Sequence, residues 1–89
     1  MRKIKNFDDL TFLPISEGSR TLKATLSFPN NYGCNIYMHS NATNRWNPYE
    51  FELLKNNKPT TNSEISPDGN VGYCTQEDIC DLIRIAQRL

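Results

Sequence analysis

The stretch that decides the fold is TLKATLSFPNNYGCNIYM, residues 21–38. Apolar and polar side chains alternate through residues 22–28 and again through residues 34–38, which is the period of a strand with one buried face. Residues 29–33 between them are turn formers, and we expect Gly33 to adopt a positive φ. The stretch therefore predicts a β-hairpin with a five-residue loop.

Two further strands are predicted after this hairpin. Tyr49, Phe51 and Leu53 alternate with two glutamates, which predicts a third half-buried strand. Asn56-Asn57 predicts a turn, and a weak, polar fourth strand is expected somewhere in residues 59–66. Its polarity places this last strand at the edge of the sheet.

Both ends of the chain show helical spacing. Apolar residues three apart in residues 4–13 predict one short helical turn on the core, ended by Pro14. Near the C-terminus, Thr75 can cap a helix, with Cys74 and Ile79 as a hydrophobic staple. The apolar stripe that follows has one face and needs one partner surface.

The predicted fold is a single small α+β domain over residues 1–89, because 89 residues support one core. It is an antiparallel three- to four-stranded β-meander with one face covered by a C-terminal α-helix. The inward-facing set is Leu22, Leu26, Phe28, Ile36, Met38, Tyr49, Phe51, Leu53, Ile79, Leu82 and Ile83. The open face carries Lys23, Thr25, Asn35, Tyr37, His39, Glu50 and Glu52.

Composition argues against several classes of protein. Ten basic and ten acidic residues give a net charge of zero, which offers no overall field to attract nucleic acid or to imitate it. No run of residues approaches the ~20 apolar residues of a membrane span. The basic opening lacks an apolar segment behind it, so we expect no secretory signal and a cytoplasmic location.

The residues that could support catalysis or metal binding are few. His39 could form an acid–base pair with Glu50 or Glu52, but no nucleophile or oxyanion turn accompanies it, which favours a surface histidine. No phosphate-binding loop is present. The cysteines match no zinc template and are expected to be small buried side chains, with the helical one partly exposed: Cys34, Cys74 and Cys80. We therefore expect a non-enzyme without cofactor or metal.

Trp46, in a polar loop, needs a physical explanation. An indole in such a loop either closes the core as a lid or stands out as an interface anchor. If it is exposed, it forms a candidate partner-binding surface with Arg45, Tyr37 and Tyr49, and we add His39 beside them.

A second candidate surface is acidic. Residues 59–89 hold five acidic and two basic side chains, a balance of −3. Glu77, Asp78 and Asp81 are its helical members, and they could dock on a basic partner. The alternative is that Glu77 and Asp78 simply suit the first turn of a helix.

Four motifs carry a resemblance to a known family: FPNNYG at 28–33, YEFELL at 49–54, EIS at 64–66 and VGYCTQEDICDLI at 71–83. Together they resemble a family of proteins of about ninety residues encoded by bacteriophages and prophages, over nearly the whole chain. This sequence has Asn31 where the family usually has Gly. The resemblance implies phage origin and a shared fold, but the family is mostly of unknown function and supplies no catalytic residues.

The expectation that follows is a phage accessory protein in the host cytoplasm that binds a host protein and inhibits or redirects it. An anti-defence inhibitor, such as an anti-CRISPR, acting on a nuclease or nucleic-acid-processing complex is the most concrete form. One alternative is a structural or assembly component of the phage particle that forms homo-oligomers by strand pairing. A weaker one is a nucleic-acid-binding sheet using Lys23 and Tyr37, which Glu50 and Glu52 oppose.

Overall fold

A computed structural model describes residues 7–39 and 48–89 of the chain. Six strands form one antiparallel sheet: β1 (Leu13–Pro14), β2 (Thr21–Ser27), β3 (Tyr32–His39), β4 (Tyr49–Lys55), β5 (Lys58–Pro59) and β6 (Asn70–Cys74). A 3₁₀ turn at Phe7–Asp9 precedes the sheet, and helix α1 (Gln76–Gln87) follows it. Strands β1 to β5 are neighbours in chain order, and β6 also pairs with β4. The predicted α+β class, with one face of the sheet under the C-terminal helix, is confirmed.

The number of strands differs from the prediction. The polar fourth strand expected within residues 59–66 is only the two-residue β5 in the structure. Strands β1 and β6 were not predicted at all. In β6, Val71 pairs with Phe51 and Cys74 pairs with Tyr49, and a bulge lies between these two positions. The bulge brings two core residues three positions apart onto one face, which breaks the period of two that identifies a strand.

The core lies between the sheet and α1, and it is made largely of the predicted inward set. Phe51, Ile36, Leu53 and Ile79 are fully buried. Four of the predicted inward residues are only partly buried: Leu22, Leu26, Met38 and Leu82. Small side chains complete the buried cluster: Ala24, Cys34, Cys74 and Ala86. Close packing of small residues lets the helix lie near the central strands.

The hairpin loop uses its residues differently from the prediction. The positive φ falls on Asn31, at 70°, and not on Gly33. Asn is among the few residues with a side chain that adopt this region readily. Gly33 is required for a different reason, because a Cβ there would lie 2.3 Å from the carbonyl oxygen of Leu26. The loop therefore depends on close backbone approach at Gly33 and on left-handed geometry at Asn31.

Both ends of α1 are closed by side chains. Thr75 caps the start, and its hydroxyl accepts the backbone N–H of Asp78 at 3.0 Å. At the other end, Asn30 Nδ2 in the hairpin loop donates to the carbonyls of Ala86 (2.9 Å) and Leu89 (3.1 Å). Terminal carbonyls of a helix lack partners inside the helix. Asn30 therefore joins the hairpin to the helix and sets where the helix ends over the sheet.

Candidate protein-binding face

The face of the sheet opposite α1 carries the predicted polar side chains in regular rows. Strand register places Lys23 beside Tyr37 and Tyr37 beside Glu50. Residues directly opposite each other in antiparallel strands project to the same side. We call this surface the open face; its members are Lys23, Thr25, Asn35, Tyr37, His39, Glu50 and Glu52, as the sequence predicts.

A hydrogen-bonded chain of side chains crosses three strands of the open face. Thr25 Oγ1 donates to Asn35 Oδ1 at 2.8 Å, and Asn35 Nδ2 donates to Glu52 Oε1 at 2.9 Å. The Tyr37 hydroxyl donates to the same carboxylate oxygen at 3.2 Å. Partial burial, followed by the charge and hydrogen bond of Glu52, raises the pKa of Tyr37 above its usual value. The phenol therefore stays a neutral donor, and the row is held in one arrangement.

His39 extends this ordered surface towards the end of β3. Its Nε2 lies 3.2 Å from Glu50 Oε1. Of the two glutamates that the sequence offers as an acid–base partner, Glu50 and Glu52, the one in contact with His39 is therefore Glu50. The imidazole stacks on the Tyr37 ring, with centroids 6.3 Å apart and planes 15° apart. Both His39 and Glu50 side chains are about 40% exposed, at 42% and 41%. A partly exposed polar pair of this kind can contribute hydrogen bonds to a binding surface.

Exposed apolar side chains flank the open face. Leu13 and Ile15 on the β1 side are 64% and 50% exposed, and Tyr73 on β6 is 77% exposed. A groove of about 420 Å³ lies along β1, lined by Thr11, Leu13, Pro14, Ile15, Lys23 and Thr25. Tyr73 has a φ of 54° in the β6 bulge. A large exposed side chain in strained backbone geometry often marks a functional position.

Sequence reasoning missed these apolar flanks. Leu13 is placed by its spacing in a buried helical turn, yet it pairs with Lys23 on the open face. The 3₁₀ turn ends at Asp9, and Phe7, Leu10 and Phe12 are the apolar residues that pack on the core. Pro14 was the available signal, since proline in a sheet is typical of an edge strand. No sequence pattern indicated that Tyr73 is exposed, because its exposure follows from the bulge in β6.

The other members of the predicted partner surface lie in different settings. Tyr49 is buried, and its ring packs edge-on against Phe7 at 4.7 Å, so the prediction that it belongs to an exposed patch is wrong. Arg45 and Trp46 lie outside the described residues. The backbone N–H of His39 donates to the carbonyl of Pro48 at 3.2 Å. His39 and Pro48, the described residues on either side of that range, are therefore hydrogen-bonded neighbours.

The acidic residues of the second candidate surface also stabilise helix α1. Asp78 completes the capping box by accepting the backbone N–H of Thr75 at 3.0 Å. Asp81 accepts from Arg84 at 2.7 Å, in an exposed i,i+3 pair. Glu77 is exposed in the first turn. Two of the three carboxylates thus also serve the helix itself, Asp78 in its capping box and Asp81 in an i,i+3 ion pair.

The cysteines behave as core side chains. Cys34 and Cys74 are buried, and burial raises the pKa of their thiols to about 12 and about 11. Cys80 is partly exposed, as expected, and partial burial raises the pKa of its thiol too. Protonated thiols are poor nucleophiles and poor metal ligands. Within residues 7–39 and 48–89, no group of three or more His, Cys, Asp or Glu is arranged to hold a metal ion.

No family model, no curated protein and no solved structure matches this chain. The phage family therefore stays a prediction from the quoted motifs. In the described part of the chain, no helix has the length and apolar character needed to cross a membrane.

Proposed function

We propose that this chain is a non-enzymatic phage accessory protein that binds a host protein and inhibits or redirects it in the host cytoplasm. The observation that supports this proposal most is the open face, where Tyr37, His39, Glu50 and Glu52 are held in place by mutual contacts. Side chains that are ordered before binding lose little conformational entropy in a complex. Aromatic side chains in such positions commonly dominate interface energies.

The charge of the open face favours a basic partner surface. Two carboxylates lie at one side of Tyr37 and one lysine at the other, in the rows formed by β2, β3 and β4. Nucleases and other nucleic-acid-processing proteins present basic surfaces for phosphate. Covering such a surface would block its substrate, which is the mode of inhibition we propose. The same carboxylates would repel a phosphate backbone, which disfavours the nucleic-acid alternative.

The test is capture of host proteins by tagged protein, with one variant for each candidate surface. The wild type, Tyr37→Ala, Trp46→Ala and the double variant Glu77→Gln/Asp81→Asn are compared, and the melting temperature of each is measured. We expect one host protein at near-stoichiometric amount with the wild type and the helix variant, and its loss with Tyr37→Ala. Adding the wild type to the captured protein should then reduce that protein's activity.

Other outcomes would redirect the proposal. Loss of the host protein only with the helix variant would move the binding surface to the acidic residues of α1. Loss with Trp46→Ala and an unchanged melting temperature would add Trp46 to the open-face surface, whereas a large fall in melting temperature would make it a core lid. Capture of nothing from the host would contradict the proposal.

An assembly role is the second candidate, and the exposed edge strand β1 favours it. Pairing of β1 with an edge of another copy would leave a further free edge and so produce open-ended polymers. Pro14 weakens this possibility because it has no N–H to donate. Sedimentation decides the matter, since species growing beyond a dimer with concentration would support assembly.

A further inference from the structure

The open face has a row of side chains whose two halves complement each other. Register aligns Leu13 with Lys23, Lys23 with Tyr37, and Tyr37 with Glu50. The bulge of β6 lies opposite Glu50 and contains Tyr73. The row therefore runs apolar, basic, aromatic, acidic, aromatic across five strands. Tyr37 is at its centre, and each half contains one charged and one exposed apolar group.

A twofold axis between two copies of the chain would bring the complementary groups of this row into contact. Two sheets stack face to face with their strands within about 30° of each other and about 10 Å apart. If the axis lies between them along β3, it places Tyr37 over Tyr37 and exchanges β2 with β4. Lys23 of one copy then faces Glu50 of the other, twice in each dimer. Such a pairing is isologous and closes at two copies.

The same axis brings together the exposed apolar side chains at the ends of the row. Tyr73 of one copy is directed to the β1 side of the other, where Leu13 is exposed. The groove of about 420 Å³ along β1 lies there, and Leu13, Ile15 and Lys23 are among its lining residues. An aromatic ring seated among apolar side chains and a lysine stem is a favourable interface contact.

Lys23 is available for an intermolecular partner. Within residues 7–39 and 48–89, Lys23 takes no part in an ion pair, whereas Glu50 contacts His39 through one of its two carboxylate oxygens. Within one copy, Tyr37 separates Lys23 from Glu50 by two strand spacings, about 10 Å. The two charges are thus too far apart to pair in the monomer, but they can pair across the axis.

We propose that a second copy of this chain binds the open face, forming a closed twofold dimer with Lys23 on Glu50 and Tyr73 in the β1 groove. Stacking the five strands of one open face on those of a second copy would bury roughly 1,000 Å² of surface, summed over both copies. This area is near the lower limit for a specific interface. An interface of this size is typical of weak, transient complexes. Because the proposed host partner uses the same face, dimer and host complex exclude each other.

The test is sedimentation equilibrium of the purified protein, without any host component, up to about 500 µM. We expect Lys23→Glu and Glu50→Lys each to weaken the dimer by about tenfold or more, since each places like charges together twice. The double variant Lys23→Glu/Glu50→Lys restores opposite charges across the axis and should recover most of the affinity. Lys58→Glu, the same charge change outside the open face, is the matched control and should leave dimerisation unchanged.

A second variant tests the apolar contact independently of charge. Tyr73→Asn removes the ring but keeps a residue that tolerates a φ of 54°. We expect it to weaken the dimer several-fold without changing the melting temperature of the monomer. A monomer at all concentrations, a dimer insensitive to Lys23→Glu, or a double variant that fails to recover affinity would each overturn the inference. None of these results would affect the proposed host complex, which is tested separately.

Discussion

The two faces of one sheet differ in how they are completed. On the covered face, Ile36, Phe51 and Leu53 are fully excluded from solvent within the core cluster that includes Ile79 and Ile83 of α1. On the open face, their sequence neighbours are joined by hydrogen bonds and remain partly exposed, as with Asn35 and Glu52. Burial of apolar area stabilises a fold far more than exposed polar contacts do. The covered face therefore supplies stability, and the open face supplies a shaped surface.

The largest expected effect comes from the covered face. Phe51→Ala removes a fully buried ring from the central strand β4 and should lower the free energy of unfolding by about 3–5 kcal/mol. Urea denaturation measures this loss. Tyr37→Ala, on the open face of the neighbouring strand, is the control and should cost less than about 1.5 kcal/mol. Equal losses would mean that the open face also supports the fold.

The next effect tests the close backbone approach at the hairpin. Gly33→Ala places a Cβ 2.3 Å from the Leu26 carbonyl oxygen and should destabilise the protein by about 2 kcal/mol. Gly72→Ala is the matched control, because a Cβ there meets nothing within 4 Å. We expect that control to be neutral or slightly stabilising, since alanine restricts the unfolded chain. A tolerated Gly33→Ala would show that β2 and β3 can separate at the loop.

A smaller effect should follow from the contact between the hairpin and the helix end. Asn30→Ala loses the donors to the Ala86 and Leu89 carbonyls and should lower the unfolding free energy by about 1 kcal/mol. Asn30→Asp keeps the oxygen that accepts the Tyr32 N–H but cannot donate. Thermal unfolding should therefore rank Asp no better than Ala. Recovery with Asp would assign the contribution to the turn and not to the helix.

The smallest effect concerns order within the open face. Glu52→Gln removes a charge beside the Tyr37 hydroxyl and should lower the pKa of Tyr37, because the phenolate is then less disfavoured. The pKa should stay above its usual value, since partial burial is its first cause. A titration of Tyr37 followed by NMR measures the shift, with stability changing by less than about 0.5 kcal/mol. An unchanged pKa would show that the Glu52–Tyr37 contact does not form.

The sequence predicted both faces more accurately than it predicted the edges. Alternation assigned Lys23, Tyr37 and Glu50 to the open face, and register confirms each of them. The edge strands β1 and β6 were not predicted because their side-chain patterns are short or irregular. β1 has two residues, one of them Pro14, and β6 contains a bulge with a positive φ at Tyr73. Edge residues have neighbours on one side only, so their side-chain pattern is weakly constrained.

By itself, the sequence determined the local features of this protein. The alternation in residues 21–38, the Asn56-Asn57 turn and the Thr75 cap each arise from backbone preferences and from side chains within a few residues. Only the tertiary structure decided which distant groups meet. It joined His39 to Glu50, Asn30 to the end of α1, and Tyr73 to the row that begins at Leu13. Those meetings depend on strand register and helix docking, which are set by the packing of the whole core and have no local signature.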